Sequence, residues 1–222
     1  MGPVREHGGV LSDLAPTPDP SSSFLEFHMV FAQSAVLPSA VPAVSAPTRL
    51  RLPDLLQATD RYADDVLSGC YDHLLPVGGP PTADRWFARL HGDDELDVWL
   101  ISWVPDRSTE LHDHGGSLGA LTVVSGALRE TRWDGEALRR RRLRAGDQAG
   151  FPLGWVHDVV WTPERDLSAP VTPGFSVAGY AAPTMSVHAY SPPLTAMSYY
   201  EVTERKTLRR KRTELTDVPE GR

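Results

Sequence analysis

The sequence predicts a mainly β domain, built as a sandwich or small barrel, behind one short helical segment. Many short strand-forming runs follow residue 82, turn signals separate them at close intervals, and one stretch ahead of them carries apolar residues at three- and four-residue spacing.

The helical stretch begins at Pro53, which suits a first turn. Leu55, Leu56, Thr59, Tyr62, Ala63, Val66, Leu67, Cys70 and Leu74 then mark one face of an amphipathic helix. Prolines and glycines at 76–81 end it. Within this pattern Cys70 reads as a buried packing thiol. It is the single cysteine, so no disulfide can form within one chain, which suits a reducing cytosol.

Strand-forming runs lie at 96–103, 118–124, 127–133, 137–143, 156–161, 175–180, 185–190 and 197–202. Asp134-Gly135 is a hairpin signal between the third and fourth of them. The basic run 139–142 falls in a strand and reads as the solvated face of a hairpin, with a docking patch as the alternative. Residues 207–215 fit a last edge strand in a charged tail. The expected organisation is therefore a disordered leader at 1–48, rich in Pro, Ser and Ala, a helical segment at 49–81, the β domain at 82–203, and a charged tail or edge strand at 204–222.

Several function classes are excluded. The net charge of -7 argues against general nucleic-acid affinity. No apolar run is long enough to span a bilayer. Residues 24–46 are fairly apolar, but Glu26 and His28 near their start, and Pro38 and Pro42 within them, do not make a secretory signal. Met29 is a plausible alternative start.

Of eight histidines, four fall into patterns with a chemical rationale. His112-Asp113-His114 places two imidazoles at i and i+2, on one face of an extended chain, where both can bind one metal ion. Asp113 between them should point away. A third histidine, His157, follows Gly146, Pro152 and Gly154, at the start of a strand after a tight turn. Three imidazoles suit Zn, Cu, Fe or Ni, so a zinc hydrolase and a ferrous oxygenase are both open. Ser186, His188 and Tyr190 alternate along one strand and so share a face, where His188 can link the two hydroxyls. His7 and His28 lie in the leader; His73 reads as helix surface and His91 as loop.

His112-Asp113-His114 with Gly126, followed by the Gly146-Pro152-Gly154-His157 pattern, resembles the two motifs of the cupins. The resemblance implies a double-stranded β-helix, or jelly-roll, barrel. Gly119 stands near the place of the acidic ligand many cupins carry, which implies three neutral nitrogen ligands and no carboxylate. Ser186-Val187-His188-Ala189-Tyr190-Ser191-Pro192-Pro193 is similar to a signature of the cysteine dioxygenases, and His112-Asp113-His114-Gly115-Gly116-Ser117 resembles their bacterial members. Arg89 resembles the arginine that holds the substrate carboxylate in that family, and Trp103 also falls at a matching place. The resemblance covers roughly 52–203.

What it implies is specific. His112, His114 and His157 hold Fe(II); Arg89 binds the carboxylate of free cysteine; Tyr190, oriented by His188 and Ser186, works beside the bound substrate; O2 is the second substrate and cysteine sulfinic acid the product. It further implies a monomer, and composition adds the expectation of a cytoplasmic protein with no nucleic-acid or membrane partner. Animal members crosslink a cysteine to the active-site tyrosine; here Gly119 occupies that place, so Tyr190 is expected as a free phenol. Arg85, four residues before Arg89, is a competing arginine. The alternatives are a dioxygenase of 3-mercaptopropionate or another small thiol, whose enzymes tend to carry glutamine in the arginine's place; a non-catalytic cupin sensor or binding domain; and a zinc or manganese cupin enzyme.

Overall fold

A computed structural model describes residues 50–163 and 183–219. The leader expected at 1–48 and the strand expected at 175–180 lie outside these residues.

Helix α1 spans Leu52–Leu67. Asp54 in its first turn accepts the Arg51 N–H at 2.7 Å, closing the helix start, and Pro53 needs no partner there. Eleven strands follow: β1 (Trp86–Gly92), β2 (Asp97–Trp103), β3 (Leu111–Asp113), β4 (Leu118–Ser125), β5 (Ala127–Trp133), β6 (Leu138–Arg144), β7 (Gln148–Phe151), β8 (His157–Trp161), β9 (Thr184–Ser191), β10 (Ala196–Val202) and β11 (Leu208–Leu215). β1, β3 and β7 are additions to the runs expected from sequence.

The strands form two antiparallel sheets, ordered β1-β2-β9-β4-β7 and β11-β10-β3-β8-β5-β6. This is the cupin double-stranded β-helix, mainly β with one helix ahead of it. Non-consecutive neighbours, such as β2 beside β9 and β3 beside both β8 and β10, bring distant segments together. Between the sheets lies a core of Trp99, Ile101, Trp103, Leu121, Phe151 and Tyr190, with further aliphatic side chains. The other face of the five-stranded sheet buries Val98, Leu100, Ala120, Val187 and Ala189 against Leu55 and Ala63 of α1. Every residue of β2 is buried because both its faces are covered, which explains its near-continuous apolar sequence.

Two expectations need correction. Cys70 is exposed and lies beyond the helix. The helix closes at Ser68, whose N–H returns to the Asp64 carbonyl at 2.9 Å, so the three-four spacing runs past the residues that hold helical hydrogen bonds. His91 is a residue of β1 rather than of a loop, set just after an irregularity in the pairing with β2. His73 lies in a single 3-10 turn, Asp72–Leu74, and is exposed.

Candidate metal centre

His112, His114 and His157 converge. His112 in β3 stands directly across the ladder from His157, the first residue of β8. His114 follows β3 by one residue, on the same face as His112. All three are buried, and one nitrogen from each falls within 4.8 Å of the other two. The Nε2 atoms of His114 and His157 are 3.4 Å apart.

These residues fit a metal ion. Three nitrogens each roughly 2.1 Å from one ion stand about 3 to 3.5 Å apart, a range that includes the 3.4 Å between His114 and His157. Tautomers also agree. The Nδ1 of His112 lies 2.9 Å from the Glu110 carbonyl, which can only accept, so Nδ1 carries the hydrogen and Nε2 keeps its lone pair. Glu110 itself adopts φ 61°, and its carboxylate is clamped by Arg212 and Lys211 of β11. These two cations hold the Glu110 carboxyl down at about 2.

Neighbouring residues keep the ligand-bearing strands in register. Asp158, next to His157, accepts from Thr109 N–H at 3.1 Å and Thr109 Oγ1 at 2.7 Å, tying β8 to the approach of β3. The Asp113 carboxylate is occupied by Gly115 N–H at 2.9 Å and the Tyr200 hydroxyl at 2.6 Å.

Gly119 faces Tyr190 and Phe151 across β4. A Cβ there would stand 2.9 Å from His114 Nδ1 and 3.0 Å from Phe151 Cδ2. The ring of His114 thus fills the space of the acidic side chain that many cupins carry. A carboxylate ligand at this position would require His114 to move.

The wall opposite is a polar relay on β9. Ser186, His188 and Tyr190 are fully buried and share the barrel's inner face. His188 Nε2 is 2.9 Å from Ser186 Oγ, and His188 Nδ1 is 3.2 Å from Tyr190 Oη. Trp103 Nε1 donates to Ser186 Oγ at 2.8 Å, extending the chain by one residue. The Tyr190 ring lies edge-on to His114, with centroids 5.0 Å apart, so the relay ends against an imidazole of the three-histidine cluster.

Arg89 shares that inner face, on edge strand β1, opposite Trp99. Its guanidinium stacks over the Trp99 ring at 4.7 Å and meets Asp97 Oδ2 at 3.1 Å. Asp97 is buried and stands opposite Tyr190 in the ladder. Burial pushes the Asp97 carboxyl up, against the opposing pull of Arg89. Arg85, the competing arginine, lies 5.3 Å above the Trp103 ring, at the far end of the relay.

One residue beside the centre was not singled out from sequence. Glu130 of β5 is fully buried, with Oε1 3.6 Å from His157 Nδ1. Arg141 pairs with its other oxygen, and Trp155 Nε1 donates to Oε1 at 3.3 Å. Burial would raise the Glu130 carboxyl, but His157 and Arg141 outweigh it and hold it at about 2. The sequence signal was a glutamate on the inward side of a strand, in step with Leu128. The basic run is accounted for in part by this pairing: Arg141 meets Glu130, Arg139 meets Asp134, and Arg142 meets the Pro163 carbonyl.

Part of the chain is similar to known proteins. The model of a family described as cysteine dioxygenase type I matches residues 82–149. The match spans less than a third of the chain. It covers Arg89, His112, His114, Gly119 and Glu130, and stops before His157 and the Ser186–Tyr190 relay. The three-histidine cluster, which could hold a metal ion, is thus matched at two of its three residues. Among solved structures, the chain is similar to a conserved protein with a double-stranded β-helix domain from Klebsiella pneumoniae, at 18% identity over 55% of this chain and 85% of that one, with a TM-score of 0.39. KdgF from Halomonas overlaps 50% of this chain and 82% of its own, at 16% identity and a TM-score of 0.37. A cupin superfamily protein from Desulfitobacterium hafniense overlaps 50% and 80%, at 12% identity and a TM-score of 0.36. Among the described residues, no helix is long and apolar enough to cross a membrane.

Proposed function

We propose that this chain is a cysteine dioxygenase, converting L-cysteine and O2 to cysteine sulfinic acid at a ferrous ion held by His112, His114 and His157. The observation that carries the reading is the Ser186-His188-Tyr190 relay ending against His114. A zinc hydrolase or a sensor needs three imidazoles at most and gives that relay no task.

Bound there, the ion would supply thiolate affinity and the redox chemistry with O2. Two S–O bonds form and the O–O bond breaks. Sulfur supplies all the electrons O2 takes up, so no co-reductant is needed. The residues do the rest. Ser186 Oγ accepts from Trp103, and its own hydrogen can go to His188 Nε2. His188 Nδ1–H then donates to Tyr190 Oη, which lets the phenol hydrogen donate toward substrate. With glycine at 119, nothing at that position crosslinks to the phenol. Phe151 and Trp99 keep the surroundings dry, which strengthens each polar contact.

Arg89 binds the substrate carboxylate through paired charge-assisted hydrogen bonds. To do so it exchanges Asp97 for substrate. That competition favours one other reading, 3-mercaptopropionate, which has the same carboxylate but no α-amino group and whose enzymes tend to carry glutamine in the arginine's place.

The test is anaerobic loading with Fe(II), addition of L-cysteine, and admission of air, with sulfinate followed by mass spectrometry beside O2 uptake and 3-mercaptopropionate run in parallel. Sulfinate formation that His157→Ala abolishes is the expected result. Preference for mercaptopropionate would keep the iron site and remove the role of Arg89. No thiol-dependent O2 uptake, despite stoichiometric iron, would sink the enzyme reading.

A further inference from the structure

Each metal-binding imidazole has a second nitrogen, and what that nitrogen meets sets the tautomer and the aim of the ring. For His112 it is a backbone carbonyl fixed by the turn at Glu110. For His157 it is the side chain of Glu130.

Glu130 is an expensive choice for a structural pair. A carboxylate buried under a sheet loses its hydration, and the loss is recovered only where donors surround it. An arginine on the solvent face of β6 could be neutralised equally well by an exposed acid. Instead Arg141, itself half-exposed, reaches inward to a carboxylate with no exposure at all. Trp155, two residues before His157 in the turn that leads to β8, donates to the same carboxylate from the other side. Arg132 in turn covers the Trp155 ring at 4.9 Å. The oxygen that Trp155 holds is the one that faces His157 Nδ1. At 3.6 Å that contact is electrostatic rather than a formed hydrogen bond, and a short rotation of the ring would make it one.

We propose that Glu130 is a positioning residue of the metal centre: its carboxylate, fixed by Arg141 and Trp155, orients the His157 ring with Nδ1 protonated and Nε2 turned toward His112 and His114. The inference rests on the three-histidine reading of the site, but not on the identity of the thiol. Its consequence is that the third ligand is held by a buried carboxylate while the first is held by backbone, so the centre can be weakened at His157 without touching a ligand.

Co(II) is the probe, because it binds the same nitrogen donors and its visible spectrum reports ligand geometry without thiol, O2 or turnover. Calorimetric and spectroscopic titrations would compare the full-length wild-type chain with Glu130→Gln, which keeps the shape and removes the charge. The expected result is a 10- to 100-fold weaker Co(II) affinity and a shifted visible spectrum, in metal-free protein that remains folded at the titration temperature. Arg141→Gln separates this role from a mere ion pair, since it keeps the carboxylate beside His157; its Co(II) affinity should fall less than that of Glu130→Gln. Wild-type affinity and spectrum in a folded Glu130→Gln would overturn the proposal, as would equal losses in the two variants. Should Glu130→Gln fail to fold, Trp155→Phe removes one clamp and leaves the charge; several-fold weaker Co(II) binding supports the proposal and unchanged binding overturns it. Wild-type protein that binds no Co(II) would overturn the metal-centre reading itself, a different failure from that of Glu130.

Discussion

Two half-exposed arginines each meet a buried carboxylate on this barrel, and the two pairs behave in opposite ways. Arg141 is 45% exposed and Glu130 not at all; Arg89 is 46% exposed and Asp97 3%. Yet the Glu130 carboxyl is held down at about 2, while that of Asp97 is pushed up. Burial works against ionisation in both. Glu130 has Trp155 and His157 besides its arginine, so its charge is fully met. Among the described residues Asp97 meets one guanidinium, at the barrel rim, and the Trp99 side chain adds a smaller pull that does not offset burial. A saturated buried carboxylate is a fixed anchor, whereas an under-supplied one holds its arginine loosely. The first arrangement suits a ligand that must not move; the second suits an arginine that has to release its partner when substrate arrives.

The sharpest way to break this contrast is at Arg89. If it exchanges Asp97 for substrate, Arg89→Gln removes a charge-assisted contact of about 1.5 to 3 kcal/mol, or roughly 10- to 150-fold in KM for L-cysteine, with kcat less affected; steady-state O2 uptake checks it. An unchanged KM would leave Arg89 as a surface partner of Asp97.

Stability should separate the carboxylates next. Glu130→Ala leaves the Trp155 N–H and the His157 ring without their acceptor and should cost about 2 to 3 kcal/mol. Asp97→Asn removes a charge that burial disfavours and should change stability by under about 1 kcal/mol, in either direction. Urea unfolding of the metal-free proteins measures both. A large loss in Asp97→Asn would erase the distinction.

The pH dependence should carry opposite signs. The Glu130 carboxyl is lowered from 4.5 to about 2, so its contribution is fully present above 4.5 and is lost as pH falls toward 2. The deficit of Glu130→Gln against wild type should therefore shrink with acid. Asp97 is raised, so the folded state gains when it is protonated and that gain fades as pH rises. Asp97→Asn should accordingly compare best with wild type near neutrality and lose that advantage in acid. Thermal melts from pH 7 to pH 3 would read both trends, and parallel trends would contradict the contrast.

A smaller effect sharpens the Arg89 side alone. Freed of its competitor, Arg89 in Asp97→Asn should bind carboxylate more readily, lowering KM for L-cysteine a few-fold and leaving kcat in place. A raised KM would instead make Asp97 the residue that aims Arg89.

Much of this was legible in the sequence because it depends on local geometry. Two-residue alternation put His112 beside His114 and lined up Ser186, His188 and Tyr190, and the structure brings these sets to one barrel interior. Turn chemistry located the hairpin between β5 and β6. Three strands escaped notice for identifiable reasons. β3 and β7 span only Leu111–Asp113 and Gln148–Phe151, too short for a periodic signal. β1 carries Arg89 and His91 among its apolar residues, and as an edge strand it alternates poorly. Cys70 was misplaced because apolar spacing continued past the end of α1, where the α-helical bonds give way to the tighter bonds of a 3-10 turn.

By itself, then, the sequence determined which residues share a face: the imidazoles of one motif, the hydroxyls and histidine of another, the buried side of α1. Those relations follow from the fixed periods of helix and strand. Only the tertiary structure decided which faces meet. It set His112 across from His157, placed the ring of His114 in the space beside Gly119, and brought Glu130 to His157 and Asp97 to Arg89. Those contacts join strands far apart in the chain or across a ladder, and their register is fixed by how two sheets close around one core.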